Sequence, residues 1–80
     1  MTPREFCQEQ LRLLGDEELV PAAQAASLEI LHTTIMQDLD EPAFEARLRS
    51  LADSAPAKQT PSIEAAVAGV LLEAWLASRR

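Results

Sequence analysis

Thr60-Pro61-Ser62-Ile63-Glu64-Ala65-Ala66-Val67-Ala68-Gly69-Val70-Leu71-Leu72-Glu73-Ala74-Trp75-Leu76-Ala77-Ser78 is the stretch that decides how this chain is read. Threonine before proline is a helix opening, and the alanine and leucine content carries the helix from Pro61 to about Ser78. Ile63, Ala66, Val67, Val70, Ala74 and Ala77 build one face, while Ala65, Ala68, Leu72, Trp75 and Leu76 build another, so the rod is apolar nearly all round. Such a helix is either the central element of its own domain or shared with a second molecule, since one side of so small a bundle cannot cover both faces. On the second reading Trp75 is the anchor, with Leu72, Leu76 and Ala68 around it, in keeping with the enrichment of tryptophan at binding hot spots.

Upstream, three more helices are expected. Thr2-Pro3-Arg4-Glu5 combines a cap, a proline for the first helical position and a glutamate that can close a capping box; Phe6, Cys7, Gln10, Leu13 and Leu14 then share one side until Gly15 ends the helix. Val20 before Pro21 marks the next opening, and that helix is read as running to Leu39 with Leu28, Leu31, His32, Ile35, Met36 and Leu39 as its main stripe. Asp40-Glu41-Pro42 starts a third, placed at 42–53, with Phe44, Leu48, Leu51 and Ala52 as its stripe. Ser54 to Gln59 lacks apolar periodicity and reads as the one real loop. At 1.5 Å per residue the second and fourth helices are each about 27 Å long and the first and third about 18 Å. The expected fold is therefore all-α, a small four-helix bundle in one domain, two long rods braced by two short ones, which a homodimer would complete. Two alanine groups, Ala22, Ala23, Ala25 and Ala26 on one long helix and Ala65, Ala66 and Ala68 with Gly69 on the other, are the expected close-packing surfaces.

Eighty residues with 48% apolar and 25% charged side chains hold one core. The formal charge of −6 repels phosphate backbones and anionic membranes, so neither nucleic acid nor membrane is the expected partner. Between Arg12 and Arg47 there is no lysine or arginine, and Asp16, Glu17, Glu18, Asp38, Asp40 and Glu41 form most of an acidic run that would either cap helix N-termini or steer a partner with a basic surface. A lone cysteine, Cys7, leaves no internal disulfide and fits a reducing cytoplasm, bacterial in style; the first fifteen residues lack a signal-peptide core, and Ile63–Ala77 is too short and too charged to span a bilayer.

Chemistry has little to stand on. Glu29 and His32 have the Glu-x-x-His spacing of di-iron bundles, but His32 is the only histidine, so a metal site would need an oligomer to supply the second motif. Cys7 has His32 as its single candidate base, none of the serines sits in a nucleophile elbow, and two glycines cannot build a phosphate loop. For a DNA-reading helix the third offers Arg47 and Arg49 among Glu45 and Asp53, and the fourth only the terminal Arg79 and Arg80. The expectation is a non-enzymatic protein-interaction module without cofactor, of the adaptor, chaperone or inhibitor type, that binds another protein or itself through helix four. The alternatives are an oligomeric Glu29/His32 metal bundle and a DNA-associated regulator.

Overall fold

The computed structural model describes residues 1–15, 20–53 and 62–79. These form α1 (Pro3–Leu14), α2 (Pro21–Gln37), α3 (Glu41–Ala52) and α4 (Ile63–Ser78), with no strand among the described residues. The all-α four-helix bundle is thus observed. The expected loop at Ser54 to Gln59, the helix opening at Thr60-Pro61 and the acidic triplet Asp16, Glu17 and Glu18 lie outside the described residues.

Local chemistry sets the helix ends. Thr2 Oγ1 accepts from the Glu5 amide, while the Glu5 carboxylate accepts from the Thr2 amide at 3.2 Å and from the Thr2 hydroxyl at 3.0 Å, two bonds that hold the carboxyl below its ordinary pKa. Asp40 caps α3 by accepting from the Ala43 amide, which starts the helix at Glu41, one residue earlier than expected, with Pro42 inside the first turn. Ser62 caps α4 by accepting from the Ala65 amide, and the helix begins at Ile63. α2 stops at Gln37, two residues short of the expected end. Asp38 adopts a left-handed conformation (φ 50°, ψ 50°), and the Leu39 amide turns back onto the Thr34 carbonyl.

The helices pack as two hairpins, α1 on α2 and α3 on α4, joined where α2 meets α4. A radius of gyration of 12.2 Å is close to the ~12 Å of a compact domain this long. The centre is aromatic: Phe6 of α1, Phe44 of α3 and Trp75 of α4 meet with ring centroids 5.9, 5.3 and 5.2 Å apart, both contacts of the indole being edge-on. Cys7, Ile30, Leu31, Leu48, Ala68 and Leu71 complete the buried cluster. Arg79 closes this end of the bundle, its guanidinium 5.8 Å from the indole centroid and 3.2 and 3.7 Å from the carboxylates of Glu45 and Glu41.

On α2 the buried face is Ser27, Ile30, Leu31 and Thr34, rotated from the expected stripe; His32 is exposed and Met36 is 85% exposed. The two hydroxyls explain the rotation. Ser27 donates to the Ala23 carbonyl and Thr34 to the Ile30 carbonyl, both at 2.9 Å, so each polar group is satisfied within its own helix and presents its carbon to the core. Nor do the alanine groups interlock as expected. Ala65 and Ala68 are buried, but Ala22 and Ala25 face outward, and a Cβ built on Gly69 would touch nothing within 4 Å.

Candidate functional site: an apolar groove beside α4

Trp75 and Ala68 are fully enclosed, and Leu72 and Leu76 are half-buried against the core. The proposed anchor is therefore a core residue. Its neighbours Phe6 and Phe44 come from distant parts of the chain and fill the face of α4 that the sequence reading had turned outward.

The opposite face of the same helix is the uncovered one. Val70 is 67% and Ile63 46% exposed, Ala66 and Ala77 are exposed beside them, and Val67 and Ala74 are half-buried. An α-helix that is apolar all round hides only the side its own domain can reach, and here that is the side carrying Ala65, Ala68, Leu71 and Trp75.

Where this face meets α2 lies a groove of about 400 Å³. One wall is Ile63, Ala66, Val67, Val70 and Leu71 of α4. The other is Val20 with Ala23, Ser27 and Leu31 of α2, and Gln10 and Leu14 come in from α1. Among the described residues no lining side chain is ionisable, and the Ser27 hydroxyl is already engaged with Ala23, which leaves the Gln10 amide as the one described side-chain polar group free to meet a ligand. Small residues make the space: Ala23, Ser27 and Ala66 leave a gap that larger side chains would fill.

Three residues of the acidic run have partners within the chain. Asp38 lies 3.4 Å from Arg4, which also donates to the Ile35 carbonyl; Asp40 caps α3; Glu41 pairs with Arg79. These three carboxylates cap or tie helices while staying exposed at the surface, and Asp16, Glu17 and Glu18 lie outside the described residues. Arg12 pairs with Glu9, and Arg49 reaches Glu45 at 4.0 Å, while Arg47 is half-buried with its Nε unpartnered among the described residues. Cys7 is fully buried, and desolvation pushes its thiol up to about 11 despite a bond to Thr34, so it is a weak nucleophile. Glu29 and His32 are both exposed, and no three His, Cys, Asp or Glu side chains among the described residues group as metal ligands would. Among the described residues no helix is long and apolar enough to cross a membrane.

The groove was within reach of the sequence only in part. Ile63, Ala66, Val67 and Val70 read as one face of α4, but Val20 and Ser27 belong to no apolar stripe and carried no signal. No family model, curated protein or solved structure matches the chain.

Proposed function

We propose that this chain is a non-enzymatic interaction module that engages another protein through the groove beside α4. The observation that carries the reading is the outward face of that helix: a valine two-thirds open and an isoleucine nearly half open to water at the mouth of an apolar trough, beside an aromatic centre that is itself fully buried. Grooves between helices are where helical proteins receive helical segments, and the described residues are helices and their connections. The buried, raised thiol of Cys7 and the exposed position of His32 support a binding role over nucleophilic catalysis.

The immobilised full chain, challenged with extract of its own host, tests this reading against Val70→Arg and a control at an equally open site, Met36→Arg. A specific protein retained by the wild type and by Met36→Arg, and lost from Val70→Arg, is the expected result. Retention that ignores Val70, or no specific protein at all, refutes it.

A further inference from the structure

Resting on that reading, we infer that the occupant of the groove is an amphipathic helix flanked by lysine or arginine, and not a second copy of this chain. Shape argues for a helix. Each wall offers about one side chain per turn, Val20, Ala23, Ser27 and Leu31 against Ile63, Val67 and Val70, with the small residues in the middle. Side chains spaced i, i+3, i+4 and i+7 on an incoming helix drop into such gaps, as ridges enter grooves. The α2 wall runs for about 16 Å at 1.5 Å per residue, so some three turns of partner are held.

Charge argues for the flanks. Neither α2 nor α4 carries a lysine or arginine, while Glu64 and Glu73 are exposed on α4. Glu73 lies one turn beyond Val70 on the outward face, and Glu64 stands next to Ile63. On α1 the two arginines are already engaged, Arg12 with Glu9 and Arg4 with Asp38. A second copy would set the same carboxylates, which have no ion-pair partner among the described residues, opposite themselves and bring a charge of −6 against −6. A cationic helix meets the same rim with attraction.

The test is a displayed library of fourteen-residue helical peptides, apolar at the four groove-facing positions and randomised among Lys, Glu, Gln and Ser at the flanks, selected on the full chain. Lysine-flanked winners are expected. They should bind Val70→Arg at least about tenfold more weakly, bind Glu64→Gln/Glu73→Gln severalfold more weakly, and weaken as NaCl rises from 50 to 500 mM. Val70, Glu64 and Glu73 are all exposed, so these variants keep the fold, which circular dichroism verifies. Winners with acidic or neutral flanks that still need Val70 overturn the charge inference and leave the groove reading standing. A wild-type dimer by sedimentation that Val70→Arg dissociates makes the second copy the occupant and overturns it as well. No enrichment over Val70→Arg overturns both.

Discussion

Replacing Trp75 separates what the indole contributes by size from what its N–H costs. The ring is fully buried and edge-on to two phenylalanines, yet its Nε1 has no hydrogen-bond partner among the described residues. Trp75→Ala removes the whole ring and leaves a cavity at the junction of three helices, a loss of about 3–5 kcal/mol. A domain of this length has roughly 4–12 kcal/mol in all, so that variant is at or near unfolding. Trp75→Phe is different. It gives up the burial of three heavy atoms, two of them carbon and worth about 2 kcal/mol, but removes an unsatisfied buried donor whose penalty is about 1–3 kcal/mol. The two nearly cancel, and Trp75→Phe should lie within about 1 kcal/mol of the wild type. Urea unfolding followed by circular dichroism gives both differences. A Trp75→Phe loss of about 3 kcal/mol or more would show that the N–H is not an orphan. A Trp75→Ala loss below about 1.5 kcal/mol would show that the indole is not the centre of the core.

Ser27→Ala and Thr34→Val should each change stability by less than about 1 kcal/mol, because each hydroxyl serves only its own helix and, for Thr34, a weak thiol contact; a loss above about 2 kcal/mol in urea unfolding means the hydroxyls do more. Gly69→Ala should stabilise by about 0.8–1 kcal/mol, since the added methyl meets nothing and the helix gains propensity; a lower melting temperature refutes the open space. The Cys7 thiol is raised from 9.0 to about 11 in the folded chain, so the unfolded chain loses its proton first. Stability is therefore retained below about pH 9 and falls as pH rises from there through about 11, and Cys7→Ala should flatten that decline in urea titrations. A wild-type curve as flat as that of the variant would remove the claim.

How far the sequence carried the fold varies from helix to helix for physical reasons. α1 and α3 were readable to within a residue because each has a narrow stripe and a capping side chain, so period and boundary nearly agree. α2 was placed but turned: Ser27 and Thr34 count as polar by type and as apolar by environment, and that conversion depends on a back-bond that residue identity does not announce. α4 was found but faced the wrong way. With apolar residues on all sides, periodicity contains no phase, and what fixed the rotation was the pair of rings supplied by Phe6 and Phe44. The expectation that this helix has more apolar surface than its own fold can cover stands on Val70 and Ile63 instead of on Trp75.

Phe6, Phe44 and Trp75 come from the beginning, the middle and the end of the chain. No fragment can assemble that triangle, so loop closure across the whole chain precedes its reward and the folding transition should be all-or-none. Tryptophan emission is then a gauge of complete folding, blind to any helix that forms alone.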